Sequence, residues 1–258
     1  LYVAALPDRP VLAAVTRMGM AAWILLVLDT PAVLSCRPLA GCLLLIPAAL
    51  LILAAHTPVR LSQYKGLSYV MDFPDAEVLA RRFSPLSTVT AVRSGMIRET
   101  PGEITAYPMS KLGPLPEQIG LFFDAGSVSP VNRFDGGLSA FAYLDYVTGA
   151  VAYRLVDAPD AFVLGPGGGT EVLAALYHGA RHVTAVEVDP AALELVRSTF
   201  SDFAGGLYQR PDVTLVLGEG RGYLQSHDRQ FDLIQAPLSG SFTAAASGVY
   251  ALNESYLY

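Results

Sequence analysis

The chain has 258 residues, 52% of them apolar and only 16% charged, with a formal net charge of −6 and a mean hydropathy of +0.41. Globular domains average about 25% charged residues, so this composition leans toward the membrane and excludes a disordered chain unable to bury a core. With 17 Lys and Arg against 23 Asp and Glu, and no basic cluster, no nucleic-acid partner is expected.

The apolar bias is concentrated at the start. Residues 1–59 hold five charges, Asp8, Arg9, Arg17, Asp29 and Arg37. Within them, residues 38–59 run without a formal charge, long enough to cross a hydrocarbon core of about 30 Å. Residues 10–28 form a second candidate span, interrupted by Arg17. A lipid bilayer is thus an expected partner, through a multi-pass anchor over 1–59. Arg9, Arg60 and Lys65 flank the two spans and Arg37 alone lies between them, which directs the globular part to the cytoplasmic side. Cys36 and Cys42 read as small apolar residues of this stretch, since two cysteines without a C-x-x-C supply neither a disulfide scaffold nor a zinc site.

From Arg60 short runs appear between Pro and Gly clusters: Glu77–Phe83, Thr88–Val92 and Ile119–Phe123. They predict a small β-rich module over 60–135. Ser139–Val156 follows, with apolar residues three and four apart around Gly149, and predicts a helix.

After Asp160 strands and helices alternate. The apolar run 161–165 predicts a strand, a turn covers Gly165 to Glu171, and 172–179 predicts a helix ended by Gly179. Residues 182–188 predict the next strand, Pro190 opens a helix reaching about Phe200, and 213–218 and 231–236 predict two more strands. This order implies an α/β, Rossmann-like parallel sheet with right-handed crossovers over 136–258. Asp189, ahead of Pro190, is the expected helix cap.

The glycine turn carries the chemistry. Glycines let a backbone approach a nucleotide, and the helix N-terminus behind them favours polar ligand groups. Glu187 ends the second strand, placed to accept from ribose hydroxyls, while Glu219 and Gly220 follow the third strand, placed for an adenine amino group. These features share one sheet edge, beyond the carboxyl ends of the strands. Gly165, Gly167 and Gly169 give G-x-G-x-G, with Thr170 where a dinucleotide fingerprint has its third glycine, and that spacing suits an adenosyl amino acid better than NAD.

In this order, VLGPGGGTEVL, HVTAVEVDPAALELV, PDVTLVLGEGRGYL and FDLIQA resemble the spermidine synthase family of aminopropyltransferases, which share the class I methyltransferase fold. The apolar start and the segments Ser62–Leu67 and Ser84–Leu86 are similar to its membrane-fused branch. The resemblance implies a transferase of polyamine biosynthesis, with S-adenosylmethionine or its decarboxylated form as co-substrate and no metal. It implies that Gly165, Gly167 and Gly169 cradle the sulfonium tail, that Glu187 holds the ribose, and that Glu219, in the place of the family's Asp, meets the adenine.

Two departures follow. The family's Asp after the fourth strand, a general base, falls on Pro237, and its acidic D-E-x-x-Y-H stretch falls on 142–147, where only Tyr146 is kept. Asp145 and Tyr146 are the remaining candidates to meet a small-molecule acceptor, which the sequence does not name. A nucleoside-binding domain without catalysis and a methyltransferase are therefore the alternative readings. His178 and His182, four apart, are split by Gly179 and are not expected to hold a metal; Glu171 and Glu194 are expected on solvated helix faces, and Asp232 facing a neighbouring turn. A class I sheet has about seven strands, so the C-terminal domain is expected to be incomplete at Tyr258, 22 residues after the fourth strand.

Overall fold

A computed structural model describes residues 61–100 and 113–236. The expected membrane spans 10–28 and 38–59, and the expected base position Pro237, lie outside these residues. Among the described residues, no helix is long and apolar enough to cross a membrane.

Helix α1 (Gly66–Met71) leads into an antiparallel meander of β1 (Glu77–Phe83), β2 (Thr88–Arg93), β3 (Gln118–Phe123) and β4 (Ser127–Asn132), paired in chain order. The register runs through Val92 opposite Gly120 and Gly120 opposite Pro130. β2 is buried on both faces, with Val89, Thr90, Ala91 and Val92 all inside. β4 lies inside the expected β-rich module but was not foreseen as a strand; as an edge strand it tolerates Pro130, whose missing N–H the ladder does not need.

The helix expected over 139–156 is broken. Leu138–Tyr146 wind as a 3₁₀ segment with a kink at Phe141, Val147 is extended (φ −90°, ψ 150°), and only Ala150–Tyr153 form a short α2. Phe141, Tyr143, Leu144, Val147, Ala150 and Tyr153 are all buried. Their apolar spacing thus reports burial, while β-branched Val147 and Thr148 with Gly149 end the helical path between them.

The second sheet is parallel, in the order β7-β6-β5-β8: β5 (Asp160–Leu164) pairs with β6 (His182–Glu187) and β8 (Leu233–Gln235), and β6 pairs with β7 (Val213–Leu217). Helix α3 (Thr170–Tyr177) follows the glycine turn, α4 (Pro190–Glu194) continues as a π turn over Leu195–Thr199, a 3₁₀ turn spans Leu207–Gln209, and α5 (Gly220–Ser226) follows β7. Asp189 caps α4 by accepting from the Ala191 amide at 2.8 Å, with Pro190 in the first turn, as the sequence implied. Asp232 accepts from the Asp160 amide at 2.9 Å and from Arg181 at 3.1 Å, which holds the start of β8 beside that of β5.

Meander and parallel sheet share one apolar core. Val89, Leu121 and Val131 belong to the same cluster as Val163, Leu173, Val183 and Leu195. Polar contacts reinforce the seam at its exposed side, where Arg82 of β1 pairs with Glu194 of α4 at 2.9 Å; Glu194 is solvated, as expected.

Candidate functional site

Beyond the carboxyl end of β5 the chain turns through Gly165–Gly169 into α3. Gly165 has φ +59°, a conformation that costs an L-residue about 1–2 kcal/mol, and a Cβ added there would meet nothing within 4 Å. The turn is therefore open on this side. Gly218, at the end of β7, is also open within 4 Å, and its amide donates to the Glu187 carbonyl at 2.9 Å. This edge carries bare backbone at two strand ends and a carboxylate beside each.

The back of the turn is not open. The Gly168 amide donates to the Ser129 hydroxyl at 2.9 Å, and a Cβ on Gly168 would stand 2.2 Å from the Pro130 carbonyl oxygen. The middle glycine is thus required by the close approach of β4. Next to it, the Thr170 hydroxyl donates to the Pro130 carbonyl at 3.0 Å and accepts from the Asn132 amide at 2.8 Å. Asn132 in turn accepts from Gln118 at 2.9 Å and from the Tyr143 hydroxyl at 3.3 Å. All four side chains of this network are almost wholly buried.

Glu187 ends β6 and is 5% exposed. One carboxylate oxygen accepts from the Gly167 amide and the other from the Asp189 amide, both at 2.9 Å. Burial raises its pKa, and these two N–H bonds oppose the rise. A carboxylate offers about four acceptor positions, so Glu187 shapes the turn and keeps capacity for a ligand hydroxyl. Glu219 caps α5, accepting from the amides of Arg221 at 2.8 Å and Gly222 at 2.6 Å, and these bonds hold its pKa below the usual value. It is a charged acceptor at the mouth of the edge. Gly220, which follows it, packs against Leu164 and is buried.

Other residues singled out from the sequence lie elsewhere. Asp145 accepts from the Tyr177 hydroxyl at 2.8 Å and pairs with Arg154 at 3.6 Å. Tyr177 is seven residues beyond Thr170, so Asp145 stands at the far end of α3, about 10 Å along the helix from the turn. Tyr146 ends the same 3₁₀ segment and is partly exposed. His178 lies near the Leu144 carbonyl at 3.4 Å, whereas His182 shares a hydrogen with Thr214 at 2.9 Å.

Glu171 corrects the sequence reading. It does not face solvent: it is 9% exposed, and every residue from Thr170 to Leu176 is buried. Burial lifts its carboxyl to about 7, with the like charge of Glu187 adding to the effect. Burial raises the phenols of Tyr143, Tyr153 and Tyr208, and the charge of Glu171 adds to the rise in each, at Tyr208 together with that of Glu187. A signal was present in the sequence. A helix apolar all round is a buried helix, and TEVLAALY holds a single carboxylate.

Tyr153 and Tyr208 also went unnoticed. Tyr153 reaches from α2 to donate its hydroxyl to the Gln235 side chain, at the carboxyl end of β8. Tyr208 is buried with a hydroxyl that has no partner, 3.1 Å from where a Cβ on Gly169 would lie.

Residues 140–253 match the family model described as the spermine/spermidine synthase domain. Over 105 residues the chain is 25% identical to a polyamine aminopropyltransferase of Korarchaeum cryptofilum, covering 41% of this chain and 33% of that one. Over 120 residues it is 25% identical to a polyamine aminopropyltransferase of Pectobacterium carotovorum, covering 44% and 42%. It is 33% identical over 73 residues to polyamine aminopropyltransferase 2 of Hyperthermus butylicus, covering 28% and 24%. The matched stretches thus span less than half the length of each of these relatives. Among solved structures, spermidine synthase from Thermotoga maritima aligns at 18% identity with a TM-score of 0.41, over 61% of this chain and 46% of that one. A spermidine synthase in complex with the transition-state analogue AdoDATO aligns at 16% identity with a TM-score of 0.41 and the same coverage. Residues 140–253 are thus similar to a spermine/spermidine synthase domain.

Proposed function

We propose that this domain binds an adenosyl sulfonium, S-adenosylmethionine or its decarboxylated form, and transfers an aminopropyl or methyl group from it to a small acceptor. The observation that carries the reading is the sheet edge where Gly165 and Gly218 leave bare backbone beside Glu187 and Glu219. The sulfonium tail lies on the Gly165–Gly169 turn, the ribose hydroxyls donate to the acceptor positions left on Glu187, and the adenine amino group donates to Glu219. The co-substrate supplies an electrophilic carbon next to a cationic sulfur; the protein holds it, orients it and leaves room for an acceptor.

Calorimetry with S-adenosylmethionine, its decarboxylated form and methylthioadenosine tests the reading on folded protein. Micromolar binding of at least one supports it; binding of none of the three overturns it.

The acceptor differs from a plain diamine. A putrescine dication needs carboxylates around it, and the sequence has Pro237 and the uncharged Ala142 and Tyr143 where the family has acids. Desolvating such a dication without partners costs several kcal/mol. Putrescine is therefore turned over slowly, and spermidine formed at about 1 s⁻¹ or faster would refute this. Pro237 also favours a second reading, nucleoside binding without chemistry, which any alkylated product from labelled co-substrate excludes. Residues 10–28 and 38–59 anchor the chain in this proposal, with the domain on the cytoplasmic side; release of the expressed chain by carbonate extraction would remove the anchor.

A further inference from the structure

Gln235 ends β8 and sits opposite Val163 of β5 in the parallel register, two residues short of the glycine turn at Gly165. With about 3.3 Å per residue and about 4.8 Å between strands, the backbones of Gln235 and Gly165 lie roughly 8 Å apart. We propose that the Gln235 amide nitrogen binds the acceptor of this domain and selects one whose far end carries a carbonyl oxygen in place of an ammonium. This rests on the transferase reading above and names the substrate class of that same site.

The direction of the amide is fixed by its neighbour. Tyr153 is 5% exposed and burial raises its phenol, so the hydroxyl keeps its hydrogen. Among the described residues, that hydrogen goes to Gln235 Oε1. His178 stacks on the Tyr153 ring, with 5.3 Å between centroids and 14° between planes, and holds the hydroxyl in place. With Oε1 turned to this buried phenol, Nε2 points the other way. Among the described residues Nε2 has no hydrogen-bond partner, and Gln235 is only half-buried.

Gly149 keeps the space before that nitrogen free. Its backbone has φ −60° and ψ −23°, which any L-residue adopts, so the chain path does not call for glycine. A Cβ added there would stand 3.5 Å from Gln235 Nε2 and meet nothing else within 4 Å. Room for an incoming group thus lies between bare backbone and an amide nitrogen, at the carboxyl end of the sheet.

The chemistry of the nitrogen decides what fits. An amide N–H₂ donates and does not accept. An ammonium placed there would bring donors to donors and give up its hydration without a partner. A carbonyl oxygen takes one of the N–H bonds and leaves no group unpaired. Ala142 and Tyr143, which stand where the resembled family has acids, add no charge to draw a cation.

The full chain in detergent is saturated with methylthioadenosine, which has no group to transfer, and titrated by calorimetry with three probes: 4-aminobutanamide, putrescine and n-butylamine. 4-Aminobutanamide is expected to bind at least about tenfold more tightly than either amine. Gln235→Leu is expected to abolish the preference. Gln235→Glu, which can still accept from Tyr153, is expected to reverse it in favour of putrescine. Gly149→Ala suits the backbone and is expected to weaken 4-aminobutanamide about tenfold by filling its space. Methylthioadenosine binding reports the folding of each variant. Equal affinity of the wild type for the three probes, a preference that survives Gln235→Leu, or undiminished binding by Gly149→Ala overturns the proposal and leaves the transferase reading intact. Failure of the wild type to bind methylthioadenosine removes both.

Discussion

Asn132, the last residue of β4, donates its side-chain amide to the Thr170 hydroxyl in the first turn of α3 at 2.8 Å, joining the antiparallel meander to the helix behind the glycine turn. The same Asn132 receives Gln118 and Tyr143, so three elements meet on one buried amide. Asn132→Ala would remove one buried hydrogen bond each from Gln118, Thr170 and Tyr143, while Gln118 keeps Glu99 and Thr170 keeps Pro130. A loss of about 2–3 kcal/mol is expected in urea unfolding, since each of the three bonds contributes about 0.5–1.5 kcal/mol. A loss below 0.5 kcal/mol would show that the network contributes little.

Gly165→Ala and Gly168→Ala should differ in kind. At Gly168 a methyl would stand 2.2 Å from the Pro130 carbonyl oxygen, so the turn must separate from β4 at a cost of roughly 2–3 kcal/mol. At Gly165 the space is open and only the left-handed backbone is strained, by about 1–2 kcal/mol. The stability order Gly165→Ala above Gly168→Ala is read from thermal or urea melts. Weaker binding of S-adenosylmethionine is expected from both.

Glu171 makes stability fall as pH rises. Its carboxyl is lifted from 4.5 to about 7 in the folded chain, so between these values the folded state holds the proton more tightly than the unfolded one. The stabilisation is whole below about 4.5 and is lost as pH climbs through about 7. The difference is on the order of 3 kcal/mol for a group shifted this far. Subtracting the urea stability of Glu171→Gln from that of the wild type at pH 5, 6, 7 and 8 isolates the limb. A flat difference would place the carboxylate in solvent.

Asp189 serves two elements. It caps α4 through the Ala191 amide and accepts from the Ser87 hydroxyl in the β1–β2 turn. Asp189→Ala should cost about 1–2 kcal/mol, the range of a lost helix cap with a buried hydroxyl left behind. Asp189→Asn, which keeps an acceptor, should recover much of that in the same melt.

The parallel sheet was legible because its strands are short apolar runs, each closed by a glycine, a proline or an acid at a regular interval. Asp189 could be placed because its partner, the Ala191 amide, lies two residues further along, and Asp232 because it opens a strand that starts beside its neighbour β5. The 3₁₀ segment was not legible, since helical spacing of Phe141, Leu144 and Tyr153 says which side is buried and not how tightly the backbone winds. Glu171 was misjudged because a carboxylate in a helix is normally solvated, and the apolar run on every side of it, from Val172 to Leu176, is what marks the whole helix as buried. The contacts of Ser129 and Asn132 with the glycine turn join residues 38–39 apart in sequence, a pairing that local pattern does not carry.

The approach of Gly168 to Pro130 also bears on how the chain avoids sticking to itself. β4 is the outer strand of the meander, and an uncovered outer strand invites another chain to add on. Here its Pro130 carbonyl is occupied by Thr170, and the proline offers no amide hydrogen in return. The glycine turn therefore shields the sheet's margin as well as facing a ligand. A substitution that pries the turn away, Gly168→Ala foremost, would bare that margin and favour aggregation during expression even where the folded fraction still binds.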